Sequence, residues 1–207
     1  ALSHDNLIAN TLQAEAWNIP VLQVKDGRTQ FVNVAALPLY HIFAFTVSMM
    51  LTMRLGGSVV LIPNPRDIPA MLKELRRYRI TALPAVNTLF NGLVNHPDFK
   101  TVDWSHLRVS LGGGMAVQSA VAEKWLDATG CPICEGYGLS ETSPSASCNP
   151  TTSTEYTGTI GVPIPSTYFK LLDDDGNEVP PGQPGEIAIK GPQVMAGYWQ
   201  RPDETAK

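Results

Sequence analysis

Five short apolar runs alternate with helical patterns along the first two-thirds of the chain, and this alternation restricts the fold more than any other feature. The runs are Phe31–Leu37, Ser58–Ile62, Ile80–Leu83, Leu107–Leu111 and Pro132–Glu135. Between them, Ile42–Leu55 is apolar on nearly every face, which predicts a buried helix. Ile68–Tyr78 sets Met71, Leu72 and Leu75 against Lys73, Arg76 and Arg77, with Asp67 as N-cap and Pro69 in the first turn. Ala85–Asn95 and Ala116–Thr129 carry apolar residues at helical spacing, and Gly130 is a natural stop. The pattern predicts an α/β fold: a mostly parallel sheet covered by helices on both faces.

The rhythm changes after residue 157. Thr167–Leu172 and Glu186–Lys190 read as strands, separated by an Asp175-Gly176 turn and the Pro180–Gly185 cluster, with no helical pattern between them. A small antiparallel β unit is therefore expected after the α/β part. The expected division is 1–157 and 158–207, with the Ser/Thr/Pro-rich stretch Ser143–Gly158 as the link. The sequence opens without Met and stops in a polar run, and a β unit this small would leave open edges. These features predict the central piece of a longer protein.

Several functional classes are disfavoured. A net charge of −4 offers no basic face for nucleic acid. The longest apolar run, Ile42–Met53, is too short to span a bilayer, and no charged segment followed by an apolar one opens the chain. Cys131 and Cys134 form a C-x-x-C pair, but a structural zinc site would need two more ligands at matching spacing. Small residues on a buried strand, in a reducing cytoplasmic compartment, explain the pair.

In open α/β sheets, ligands bind beyond the carboxyl ends of the strands. Three segments qualify. Pro38-Leu39-Tyr40-His41 follows the first run. Gly112-Gly113-Gly114-Met115 follows the fourth and precedes a helix, so backbone there could approach a flat ligand or an anion. It matches neither a Walker loop nor the dinucleotide fingerprint. Glu135-Gly136-Tyr137-Gly138-Leu139-Ser140-Glu141 follows the fifth run. It offers a ring for stacking, a hydroxyl for a phosphate oxygen and a carboxylate for Mg²⁺. Each segment also has a plain structural reading: His41 as a helix cap, the glycines as a tight turn, Ser140 and Glu141 as a polar turn.

The combination goes further. Pro38–Phe43, Gly112–Met115, Glu135–Glu141, Gly161-Val162-Pro163-Ile164-Pro165, Gly185–Gly191 and Val194-Met195-Ala196-Gly197-Tyr198-Trp199 occur in this order. The series resembles the adenylate-forming superfamily of acyl-CoA synthetases, luciferases and peptide-synthetase adenylation domains, in wording closest to bacterial long-chain fatty acid–CoA ligases. The resemblance implies that ATP and a fatty acid give an acyl-adenylate and pyrophosphate, after which coenzyme A displaces AMP. It implies that Gly113 and Gly114 lie against the adenine, with Tyr137 stacked on it and Gly138 beside it. Ser140 would bind the α-phosphate and Glu141 would bind Mg²⁺. His41 would sit by the acyl carboxylate, with Phe45, Gly112 and the helix after Phe45 bordering the acyl pocket. The resemblance also implies contact with an inner membrane surface and with the rest of the enzyme. The phosphate-gripping loop would precede residue 1, and the ribose-binding aspartate and catalytic lysine would follow residue 207. The 207-residue piece is expected to bind ATP weakly and not to turn over. One departure stands out: where the family usually has threonine, this chain has Ser140.

Overall fold

The computed structural model describes residues 1–22 and 30–206. Helix α1 (His4–Leu22) opens the chain, where the sequence pattern points to no helix. Its buried residues are Asn10, Thr11, Gln13 and Ala14, so the docking face is largely polar and no apolar stripe marks it. The start is held reciprocally. Asn6 N–H donates to Ser3 Oγ at 3.2 Å, and Ser3 N–H donates to Asn6 Oδ1 at 2.9 Å.

The remaining elements are β1 (Val32–Ala35), a π-helical run (Ala44–Met50) continuing as α2 (Leu51–Arg54), β2 (Ser58–Leu61), α3 (Ile68–Leu75), β3 (Ala82–Ala85), α4 (Asn87–Val94), β4 (Val109–Gly112), α5 (Ser119–Thr129), β5 (Ile133–Gly138), β6 (Ser145–Cys148), β7 (Val162–Pro163), β8 (Tyr168–Leu172), β9 (Glu186–Lys190) and α6 (Pro202–Thr205). Asp67 caps α3 by accepting from Ala70 N–H at 3.0 Å, and Gly130 ends α5 in the left-handed region with φ 69°.

The large sheet runs β2-β1-β3-β4-β5-β6-β7. Its first five strands are parallel, and β6 and β7 are added antiparallel. The β8–β9 hairpin forms a separate two-stranded sheet, in register from Tyr168↔Lys190 to Leu172↔Glu186. The α/β fold with an antiparallel appendage thus matches the sequence expectation.

Strand alternation divides the core between two faces. Val32 and Val34 join Leu83, Ala85, Phe90 and Trp125 under α3, α4 and α5. Phe90 meets Trp125 edge-on at 4.8 Å between ring centroids. Asn33 points the other way, and its Nδ2 donates to Val47 O at 2.9 Å and to Thr52 Oγ1 at 3.1 Å, fixing the π-helical run on the opposite face. Where α1 meets the C-terminal half, buried amides replace apolar packing. Gln13 Nε2 donates to Gln193 Oε1 at 3.1 Å and to Pro165 O at 2.7 Å. Gln193 Nε2 donates to Thr167 Oγ1 at 2.8 Å and to Ser145 O at 3.2 Å.

Three expectations need correction. Residues 42–54 are helical, but the middle is π rather than α, and Met53 is 69 % exposed rather than buried. The stretch Ser143–Gly158 is not only a link: Ser145–Cys148 is strand β6, built from small residues that carry little β signal. The fifth strand runs on to Gly138, so Gly136, Tyr137 and Gly138 belong to the sheet rather than to a loop beyond it.

Candidate functional site

Parallel pairing puts the ends of β4 and β5 side by side, with Gly112 opposite Glu135. The segments after β1, β4 and β5 meet at this edge. A cavity of about 360 Å³ is lined by His41, Gly112, Gly113, Gly114, Tyr137, Gly138, Ser140 and Glu141, and also by Phe43, Val47, Leu111 and Ile164. Phe45 is not among its walls. It lines an adjoining cavity of about 680 Å³ with Leu2, Met195 and Tyr198, and His41, Ser140 and Glu141 border both.

The glycine segment is held in place by a buried acid. Glu135 Oε1 accepts from Val117 N–H at 2.7 Å, pinning the end of the Gly112–Val117 turn to β5. Tyr156 Oη donates to Val117 O at 2.6 Å, and burial, reinforced by the Glu135 carboxylate, pushes that phenol up to about 12. Neither Glu135 nor Tyr156 is singled out by sequence reasoning. A carboxylate at a buried strand position was the available signal. At Gly113 a Cβ would stand 3.0 Å from the Phe43 ring, and at Gly138 it would run into the Pro144 carbonyl. Gly138 requires the absence of a side chain, whereas at Gly113 a Cβ would press on the Phe43 ring, which would have to shift.

His41 combines its two readings. Its Nδ1 accepts from Phe43 N–H at 3.2 Å, which caps the helix and leaves Nε2 as the protonated nitrogen of the neutral ring. The same exposed imidazole borders both cavities, so an N–H donor stands where they meet.

Ser140 and Glu141 lie in a short 3-10 turn, Ser140–Thr142, braced where Leu139 N–H donates to Thr142 Oγ1 at 2.9 Å. Ser140 is exposed. Glu141 is gripped from far along the chain. Met195 N–H donates to its carbonyl at 2.8 Å, and Tyr198 Oη donates to its Oε1 at 2.9 Å. That hydrogen bond, with the carboxylate charge behind it, raises the Tyr198 pKa. The Val194–Trp199 motif thereby acquires a contact that sequence reasoning did not assign.

Cys131, Cys134 and Cys148 are free and buried. Burial pushes Cys134 up to about 11 and Cys148 up to about 12, so both remain thiols at neutral pH. Among the described residues no group of three or more His, Cys, Asp or Glu is placed to hold a metal. A divalent ion at Glu141 would need most of its oxygens from a bound ligand, which suits Mg²⁺ held by one carboxylate and phosphate oxygens. No helix among the described residues is long and apolar enough to cross a membrane.

Residues 1–199 match the sequence profile of the family described as AMP-binding enzyme. The chain is 56 % identical over 204 residues to a long-chain-fatty-acid--CoA ligase of Yersinia pestis, covering 99 % of this chain and 36 % of that protein. It is 54 % identical to the protein of the same name from Escherichia coli O6:H1, with the same coverage. It therefore spans about a third of the length of these relatives. Among solved structures, ATP-bound MatB from Rhodopseudomonas palustris superposes with a TM-score of 0.84 at 29 % identity, over 99 % of this chain and 39 % of that one.

Proposed function

We propose, since the chain belongs to the AMP-binding enzyme family, that it is the central part of a long-chain fatty acid–CoA ligase. Such an enzyme joins a fatty acid to ATP as acyl-AMP with release of pyrophosphate, and then transfers the acyl group to coenzyme A. The observation that carries this reading is the meeting of His41, the glycine turn, Tyr137, Ser140 and Glu141 on one largely apolar cavity. Close relatives that bear the ligase name support it.

Each residue has a task that its geometry suits. Gly113 and Gly114 leave a flat backbone surface for the adenine. Tyr137 offers its ring to the other face, with Gly138 beside it. The Ser140 hydroxyl donates to the α-phosphate. Glu141 holds the Mg²⁺, which when bound neutralises charge developing on the phosphates. His41 directs its Nε2–H at the acyl carboxylate. No side chain needs to form a covalent intermediate. The acyl chain takes the apolar walls beside Gly112, while Phe45 lines the adjoining cavity on the other side of His41, and among the described residues the only acid lining either cavity is Glu141. A substrate ammonium would thus lack a dedicated counter-charge, which favours an uncharged chain over an amino acid.

The enzyme would act in the cytoplasm, with peripheral contact at the inner face of the cell membrane where its lipid substrate resides. Residues 1–157 would form the adenylate-binding subdomain and 158–207 a small β subdomain. Pyrophosphate exchange by the full-length enzyme, measured across fatty acids of graded length, tests the proposal. Long saturated acids should support exchange. Failure with every fatty acid, alongside activity on an aryl acid, would sink it. Failure with every carboxylate would favour a non-catalytic nucleotide-binding module.

A further inference from the structure

The first cavity does not stop at the residues given roles above. Its walls include Val47 of the π-helical run, Leu111, Gly136, Cys148 and Ile164, and they reach Ala14, Trp17 and Asn18 of α1. The β5–β6 register orders these residues along the cavity. Gly138 lies opposite Ser145, and Gly136 lies opposite Cys148. Asn149, the next residue, bonds through its N–H to Glu135 O at 2.9 Å. Glu135 is three residues back from Gly138, about 10 Å at ordinary strand rise. Trp17 is tied to that distant end, because its Nε1–H donates to Asn149 O at 3.1 Å. Its own carbonyl accepts from Thr151 Oγ1 at 3.1 Å, and Thr151 also lines the cavity. The indole is therefore anchored through its Nε1 and the backbone behind it through its carbonyl, and the ring stands half-buried at the end of the cavity opposite Ser140 and Glu141.

We propose that Trp17 is the end wall of the acyl site and sets the longest fatty acid the enzyme accepts. The inference rests on the acyl-CoA ligase reading above. A carboxylate fixed at His41 points its tail along Val47, Leu111 and Gly136, and the anchored indole stands across the far end of that path. Each methylene that enters a fitted apolar wall is worth about fourfold in binding. A wall that blocks two of them therefore changes selectivity by about fifteenfold.

The test uses the full-length enzyme and saturated fatty acids of graded length. In Trp17→Ala, kcat/KM should shift towards longer acids, by about fifteenfold relative to unaltered enzyme for an acid two methylenes beyond the normal optimum. Ala14→Leu, which narrows the same end, should shift it towards shorter ones. Should Trp17→Ala fail to fold, Trp17→Phe gives a second reading by fluorescence. A fatty acid brominated at its terminal carbon should quench unaltered enzyme more than Trp17→Phe, while one brominated beside the carboxylate should quench both alike. Length profiles that superimpose, or equal quenching by the terminal bromide, overturn the role of Trp17 and leave the ligase reading standing. Absence of exchange with every fatty acid in unaltered enzyme overturns both.

Discussion

The Tyr198 phenol donates a hydrogen bond to Glu141 Oε1 at 2.9 Å, across 57 residues of chain. Its pKa is raised by that carboxylate, so it stays a donor well into alkaline pH. The bond fixes one oxygen of the acid proposed to hold Mg²⁺ and so orients the other. Outer-shell partners of this kind are typically worth 10–100-fold in metal affinity. Tyr198 is 46 % exposed, which points to the lower end. In Tyr198→Phe, the Mg²⁺ concentration giving half-maximal pyrophosphate exchange should rise about tenfold, with Mn²⁺ binding weakened in parallel. An unchanged Mg²⁺ requirement would show that Glu141 is oriented without Tyr198.

His41 should separate into its two functions. Asn at this position can still accept from Phe43 N–H, and Ala cannot. We expect His41→Asn to melt close to unaltered protein but to lose about a hundredfold in adenylation, roughly 2.7 kcal/mol. His41→Ala should lose the same activity and about 1 kcal/mol of stability in addition. Thermal denaturation beside pyrophosphate exchange distinguishes them. Retention of adenylation in His41→Asn would mean the imidazole acts only as a cap.

Gly138 and Gly114 should differ in how badly they tolerate alanine. A Cβ at Gly138 meets backbone, the Pro144 carbonyl, which cannot rotate away. The urea midpoint of Gly138→Ala should report a loss of about 3 kcal/mol or more. At Gly114 the nearest atom to a Cβ is 3.8 Å away, and only its φ of +78° opposes a side chain. That costs about 1–2 kcal/mol. Equal losses at the two sites would contradict the packing described.

The buried cysteines set an alkaline limit. Cys134 and Cys148 have folded values of about 11 and about 12 against an ordinary value of 9.0. The folded state therefore holds those protons more tightly than the unfolded one. Their contribution is complete below pH 9 and is lost as the pH rises from 9 towards 12. Stability should fall over that window, less steeply in Cys148→Ala. Thiol reagents at pH 8 should modify all three cysteines in urea and react slowly with folded protein.

Ser140 supplies the hydroxyl without the β-branch that stiffens threonine. Ser140→Thr should leave the adenylation rate of the full-length enzyme within about tenfold, or 1.4 kcal/mol. A gain above about a hundredfold would show that rotamer stiffness, not the hydroxyl alone, is what the position requires.

The parts of the fold legible in the sequence were those whose burial is apolar. Runs such as Leu107–Leu111 and the Met71, Leu72 and Leu75 stripe of α3 announce themselves because transfer from water selects the residues. α1 is illegible by the same rule, since Asn10 and Gln13 dock by hydrogen bonds and leave no hydrophobic period. β6 is hidden because Ser145–Cys148 consists of small side chains that fit close beside β5. Among the candidate site residues, those that must be small or exposed at a strand end were readable. Glu135, Tyr156 and Tyr198 were not, since their contacts cross 18, 39 and 57 residues of chain.

The amide cluster around Gln193 bears on the order of folding. Gln13, Ser145, Thr167 and Gln193 bond one another only when four distant stretches of chain are in place. The separation from Gln13 to Gln193 is 180 residues, so loop closure is costly and the contact cannot nucleate. It must form late, after the parallel sheet has condensed. Until then the amides keep their water. Once closed, the cluster ties the first helix to the last third of the chain, so that partial opening of either end exposes the polar groups of both. A chain assembled in this way should lose its two ends together, as one cooperative unit.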